Sequence, residues 1–304
     1  MKVLITGCNG FVGSYLCAEL LTHGYVVLKS DLHGNTDVIP MNILDIDEIN
    51  KVLVEYKPDV LVNIAGQANV GESWKKPQFT FQLNVIGVIN ILESVKRFSP
   101  STKVITIGSS DEYGCIHTFG NNVTEDVPLN PRSPYAISKC TQEYLSKLYK
   151  NSFDLDCSMI RMFNLGGAGQ MKGFMISDFS SEIASVEAGK QNSIHVGNLE
   201  SFRDFTHVKD ACKAIRLIIE KGHSGEVYNV CSGKTYKTQY ILDKLLKMAK
   251  IDISIVQDPS RMRPSDIPVI CGNHQKLSSH TGWQPTMSID DILEDALNYW
   301  RLHI

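Results

Sequence analysis

Short apolar runs alternate with stretches of helical hydrophobic spacing along the first half of the chain. Lys2–Thr6 reads KVLIT and ends in a glycine turn, and residues 12–22 then set Val12, Leu16, Leu20 and Leu21 at helical spacing. Residues 25–28 (YVVL) form a second apolar run. The spacing predicts a helix over 47–56, a strand over 60–64, a long helix over 80–97 and a strand over 104–107. Residues 115–134 are irregular and rich in Gly, Asn and Pro, after which 134–150 read as a helix and 155–162 as a strand. Strands alternating with helices imply βαβ units, whose right-handed crossovers build a doubly wound parallel sheet. The glycine cluster at 166–173 is the first plausible boundary. Beyond it the pattern is less regular. Val227–Val230 reads as a buried strand returning to the first sheet, and 290–300 as a closing helix.

The first turn is the most informative one. TGCNGFVG sets Gly7, Gly10 and Gly13 directly after a strand and at the start of a helix. In that context Gly7 permits the tight turn, Gly10 lets backbone approach a pyrophosphate, and Gly13 allows close helix–strand packing. The helix N-terminus adds amide donors and partial positive charge. Asn9, Phe11 and Val12 belong to the same cradle. Asp31 follows the second strand about twenty residues on, where a carboxylate accepts the adenosine ribose hydroxyls. It would repel a 2′-phosphate, so NAD(H) is favoured and NADP(H) remains an alternative. The fold class is therefore α/β: a doubly wound parallel Rossmann sheet with a smaller C-terminal α/β substrate domain. The Rossmann domain is expected over 1–165 plus about 203–232, and the second domain over 166–202 and 233–304.

Composition acts mainly by exclusion. Across 304 residues, 43% are hydrophobic and 21% charged, and the formal net charge is −3. That balance suits a globular protein with a sizeable core and points to neither nucleic acid nor an acidic membrane. No apolar run approaches the ~20 residues of a membrane span. The N-terminus enters a strand without the features of a signal peptide. The eight cysteines are scattered with no CxxC pair, which reads as reduced thiols in a cytoplasmic protein and gives no metal site.

Candidate chemistry centres on SPYAISK, where Tyr135 and Lys139 lie four apart on one helical face. A phenol near pKa ~10 is a poor acid–base group at neutral pH. A neighbouring ammonium is expected to favour the phenolate and lower that value. Such a pair can move a proton at a carbonyl or alcohol while a nicotinamide exchanges hydride. Upstream, a strand ends in Ser109, Ser110 and Asp111, on the crevice side where such sheets bind ligands. Ser109 suits a hydrogen bond to the reacting oxygen. Asp111 reads either as a second acid–base group or as a turn carboxylate.

Taken in order, the motifs TGCNGFVG, PDVLVNIAGQANV (58–70), GSSDEYG (108–114), SPYAISK (133–139), RMFNLGGAGQ (161–170), RDFTHVKD (203–210), VYNVCSG (227–233), RMRPSD (261–266) and TGW (281–283) cover nearly the whole chain. Together they resemble the extended short-chain dehydrogenase/reductases, the family of sugar-nucleotide epimerases, dehydratases and reductases. IGSSDEYG, FNLGGAGQ, VGNLESFRDFTHVKD and VQDPSRMRPSD are most similar to GDP-4-keto-6-deoxy-D-mannose reductases, which form GDP-D-rhamnose. The resemblance implies a Ser/Thr–Tyr–Lys triad at Ser109, Tyr135 and Lys139, with Lys139 also holding the nicotinamide ribose. It implies adenosine contacts at Asp31, Asn42 and Ile43, and a cofactor lining at Ala65, Gly66 and Gln67, with Asn84 close by. Ser110 is implied at the substrate, and Asn164 and Arg203 at its diphosphate. Arg263 fits the same role as a planar cation, and Asp266 suits the nucleoside ribose. Relatives imply a homodimer through the 80–97 and 134–150 helices.

Dehydratases of this family carry a glutamate two residues after the catalytic Ser/Thr. Here that place holds Asp111, shorter by a methylene, or ~1.5 Å of reach, and misplacement of that order costs ~10²-fold. Glu112 is adjacent, but its side chain points the other way if the strand continues. The expected reaction is thus NAD(P)H-dependent reduction of the C4 ketone of a GDP-linked 6-deoxy sugar. A GDP-mannose 4,6-dehydratase or sugar-nucleotide 4-epimerase is the alternative. A non-catalytic dinucleotide sensor is a remote one, since fold alone does not imply function.

Overall fold

The computed structural model describes residues 1–115, 122–262 and 267–304. Its large sheet has seven strands, all parallel: β1 (Lys2–Thr6), β2 (Val26–Asp31), β3 (Ile39–Pro40), β4 (Val60–Asn63), β5 (Lys103–Ser109), β6 (Cys157–Met162) and the returning strand Val227–Val230. From one edge the order runs Val227–Val230, β6, β5, β4, β1, β2, β3. Strand order therefore reverses between β1 and β4, which is where open α/β sheets bind ligands.

The apolar runs are continuous because both sheet faces are covered. Val3 and Ile5 join Val60 and Val62 in one core, against Leu16 and Leu20 of helix Phe11–Thr22 and Ile215 and Ile218 of helix Val208–Lys221. Leu4 and Leu61 point the other way, into a core with Ile49 and Leu53 of helix Ile46–Tyr56 and Ile91 and Leu92 of helix Gly87–Phe98. Helix Pro134–Phe153 lies on this second side, starting from a Ser133 cap with proline at its first position.

The 80–97 segment is not one uniform helix. It opens at Pro77–Phe81, widens into a π turn over Gln82–Ile86, and resumes at Gly87–Phe98. The wider turn faces Asn84 inward, where it is fully buried. The 203–232 stretch is split between the two sheets. Phe202–His207 joins the smaller sheet, flanked by Asn164–Gly166, Thr235–Lys237 and Val269–Ile270, whereas Val208–Lys221 and Val227–Val230 belong with the large one. A second small pair is Ser193–Val196 with Ser254–Gln257. Helices Met175–Glu187, Thr238–Met248 and Ile289–His303 pack around a separate core containing Ile183, Leu242 and Leu293. Among the described residues, no helix is long and apolar enough to cross a membrane.

Candidate active site

One cleft of about 1020 Å³ runs along the carboxyl ends of the large sheet and into the smaller one. At its inner end Gly7 adopts φ +70, and Gly10 N–H donates to Gly7 O at 3.1 Å. A Cβ on Gly13 would stand 2.2 Å from Gly7 O, so only glycine lets the helix pack this close. Gly10 caps the helix without a side-chain hydrogen bond, which leaves the first-turn amides available to a ligand. Thr6 Oγ1 donates to Asn63 Oδ1 (2.7 Å) and accepts the Ile64 and Ala65 amides (3.1 Å each), tying β1 to β4 at the switch point.

Asp31 sits at the end of β2 with its carboxylate fixed by the amides of Asn9 (2.9 Å) and Leu32 (2.8 Å). Asn42 is held by its own turn, its Oδ1 accepting Leu44 N–H at 3.0 Å. These groups fit a dinucleotide: a glycine turn with positive φ at Gly7 and no room for a Cβ at Gly13, uncapped helix amides, and a buried Gln67 Oε1 with no partner of its own. Asn9, Phe11, Val12, Asp31, Asn42, Ile43, Ala65, Gly66 and Gln67 all line the cleft alongside Gly7 and Gly10. Gly13 and Asn84 instead brace it from behind. Asn84 Oδ1 accepts Gln67 N–H (2.8 Å) and its Nδ2 donates to Gln67 O (3.0 Å) and Ser138 Oγ (2.9 Å), which clamps the Gly66–Gln67 backbone.

Midway along the cleft, β5 ends at Ser109 and helix Pro134–Phe153 begins. Ser109, Tyr135 and Lys139 converge there, each buried but lining the cleft. Ser109 faces the Tyr135 phenol and favours its ionised form. Lys139 Nζ donates to Ile107 O (2.8 Å) and Gln142 Oε1 (3.1 Å) and stands 5.8 Å from the Tyr135 ring centre.

The expected lowering of the Tyr135 pKa is reversed. Burial, then the Asp111 carboxylate, push the phenol well above its ordinary value, and only Ser109 opposes them. Burial also pulls Lys139 down to about 8, against the Glu112 carboxylate. Tyr135 is therefore firmly protonated at neutral pH, the state required of a proton donor.

Asp111 and Glu112 do not continue the strand. Ser110–Tyr113 forms a 3₁₀ turn instead, so alternation does not apply. Ser110 and Asp111 line the cleft, while Glu112 turns into the core and is fully buried. Its side chain thus points away from the cleft, as the sequence suggested, for a different geometric reason.

The outer end is built on the smaller sheet. Asn164 is oriented by donating to Asp204 O (3.3 Å), and Arg203 Nη1 donates to Ile267 O (2.5 Å) and Phe202 O (2.9 Å). Both line the cleft. Next to Arg203, the buried Asp204 carboxylate accepts the amides of Ser232, Gly233 and Gly272 and so knots three segments together. Arg263 and Asp266 lie outside the described residues. The sequence reading missed Arg261, which lines the cleft and pairs with Glu182 Oε1 at 2.6 Å. It also missed Asp178 and Thr238. Arg261 falls within the RMRPSD passage, which was its only signal; nothing in the local pattern marks the other two. Among the described residues, no group of three His, Cys, Asp or Glu side chains could hold a metal ion.

Residues 4–296 match the family described as GDP-mannose 4,6 dehydratase. The GDP-6-deoxy-D-mannose reductase of Pseudomonas aeruginosa is 32% identical over 308 residues, covering 100% of this chain and 98% of that protein. The structure of RMD from P. aeruginosa complexed with NADPH superposes with a TM-score of 0.90 at 31% identity, covering 100% of this chain and 99% of that one. The UDP-glucuronic acid 4-epimerase of Bacillus cereus, solved with UDP-glucuronic acid and NAD, gives 0.89 at 26% identity, covering 100% of both chains.

Proposed function

The chain belongs to the GDP-mannose 4,6 dehydratase family, among the sugar-nucleotide epimerases, dehydratases and reductases of the extended short-chain dehydrogenase/reductases, and on that premise we propose that it reduces the C4 ketone of a nucleotide-linked 4-keto-6-deoxy sugar. The substrate is GDP-4-keto-6-deoxy-D-mannose and the product GDP-D-rhamnose. The observation that carries this reading is the convergence of Ser109, Tyr135 and Lys139 in the cleft that also holds the glycine cradle.

When bound, the reduced nicotinamide supplies the hydride that C4 accepts. Tyr135 donates its proton to the C4 oxygen, and the Ser109 hydroxyl holds that oxygen in place. Lys139, still largely an ammonium at neutral pH, stabilises the phenolate left behind. Asp111, one methylene shorter than the dehydratase glutamate, disfavours removal of a C5 proton and loss of water. The large sheet and its helices, with Asp31, Asn42 and Ala65–Gln67, take the dinucleotide. The smaller sheets, with Asn164 and Arg203, take the sugar nucleotide, to which the family resemblance adds Arg263 and Asp266.

Asp31 favours NADH, since its fixed carboxylate would meet a 2′-phosphate. Incubation with the keto sugar nucleotide is expected to consume one reduced cofactor per sugar, with higher kcat/KM for NADH than NADPH. No consumption would support the epimerase or dehydratase reading, and a preference for NADPH would overturn the role of Asp31.

We also infer a homodimer. Ile137, Tyr144 and Leu148 form an exposed stripe on helix Pro134–Phe153, and Ile86 is exposed on the adjacent 77–98 segment. Light scattering is expected to give twice the chain mass, and Tyr144→Glu to halve it. A wild-type monomer would contradict the assignment.

A further inference from the structure

Behind the catalytic end of β5 lies a carboxyl that the proposed reaction does not use. Glu112 is fully buried, and its Oε1 accepts the Ser109 N–H at 2.6 Å. Its Oε2 has no hydrogen-bond partner and stands 4.0 Å from Arg161 Nε. Arg161 is committed elsewhere. It donates to both Glu143 oxygens at 2.8 Å, and its Nη1 to Tyr113 OH (2.8 Å) and Glu125 O (3.0 Å). The pocket is shaped for this side chain, since a Cβ on Gly108 would stand 2.3 Å from Glu112 Oε1.

Burial and the Glu143 carboxylate push Glu112 up to about 8, opposed by the Ser109 amide, Arg161 and Lys139. Protonated or ionised, the carboxyl keeps an acceptor oxygen for the Ser109 amide. In return, Ser109 Oγ accepts the Asp111 N–H at 3.1 Å, closing a capping box over a 3₁₀ turn of four residues. An apolar side chain at 112 would leave the Ser109 N–H buried and unpaired. The residue whose backbone and hydroxyl are fixed in this way is the one that meets Tyr135.

Resting on the ketone-reductase reading above, we propose that Glu112 is a positioning residue, whose carboxyl locks the Ser109 backbone and so aims the Ser109 hydroxyl at Tyr135 and the C4 oxygen. The test is a double-mutant cycle with Ser109→Ala. Glu112→Leu is expected to lower kcat by about 10–100-fold, the scale of an ångström-level misplacement, with KM for the sugar nucleotide within a few-fold. Glu112→Gln retains an acceptor oxygen and is expected to restore most of the activity. In the Ser109→Ala background, Glu112→Leu should cost nothing more. Hydrogen exchange at the Ser109 amide is expected to be slow in wild type and Glu112→Gln and fast in Glu112→Leu. If Glu112→Leu does not fold, Glu112→Asp, which withdraws the carboxyl by one methylene, carries the same comparison. A folded Glu112→Leu with wild-type kcat, or losses that multiply in the double variant, would overturn the proposal. A wild-type chain that turns over no keto sugar nucleotide would sink the reductase reading instead. Exchange at the Ser109 amide then decides Glu112 alone, and fast exchange in wild type rejects it.

Discussion

Replacing Tyr135 by phenylalanine is expected to lower kcat by about 10²–10⁴-fold, the contribution of a positioned general acid, while dinucleotide affinity stays within a few-fold. The removed hydroxyl is the one whose ionisation Ser109 favours. The ring that remains still lines the cleft. Steady-state rates and a fluorescence titration of reduced cofactor check the two halves of the prediction. Turnover within a few-fold of wild type would remove Tyr135 from the chemistry. Lost cofactor binding would recast it as a structural wall. Because burial pulls Lys139 down to about 8, wild-type kcat is also expected to fall as pH rises past that value and the ammonium is lost.

The second large effect is on stability. Arg161→Met is expected to cost about 3–5 kcal/mol, the usual result of removing one partner of a buried ion pair. At roughly 2–4 °C per kcal/mol this is on the order of 10 °C in Tm. Arg161 and Glu143 are each 3% exposed, and their two bonds of 2.8 Å run in parallel. Burial alone would raise Glu143, but Arg161, with Lys147, outweighs it and holds the carboxyl below its usual range. Without the guanidinium, Lys147 is left as the one cation hydrogen-bonded to Glu143, and Glu112 loses its nearest positive charge. Both carboxyls then bind protons more tightly folded than unfolded, so stability falls as pH rises. The loss is therefore expected to be larger at pH 8 than at pH 5.5 in urea unfolding. A loss under about 1 kcal/mol at both values would show that the cluster is not an ion pair of consequence.

The parts of this site that were legible in the sequence are those set by local geometry. The turn at Gly7, Gly10 and Gly13 is written by one strand, one turn and one helix. Tyr135 and Lys139 share a face because a helix dictates it. What was not legible depends on distant neighbours. Phe202–His207 has no alternation of its own, and only its pairing with Asn164–Gly166 and Thr235–Lys237 makes it a strand of the smaller sheet. The π turn at Gln82–Ile86 has no pattern of its own, yet it is what brings Asn84 to the Gln67 backbone. Spacing places a lysine beside Tyr135 but does not show that burial outweighs it, nor that Lys139 spends its donors on Ile107 and Gln142. Alternation along a strand turns Glu112 away from the cleft and gives it no role. Nothing in the sequence shows that its carboxyl returns to the Ser109 amide, because the 3₁₀ turn that brings it there replaces an expected strand.

The reductase reading is tested most directly by following a label. Nicotinamide deuterated on the transferred position of the reduced ring should deliver its deuterium to C4 of the sugar, one per product, with oxidised cofactor formed in equal amount. Mass spectrometry and NMR of the sugar nucleotide show where the label lies. A product, or a dehydrated or epimerised sugar, that carries no deuterium at C4 while the cofactor stays reduced would contradict it.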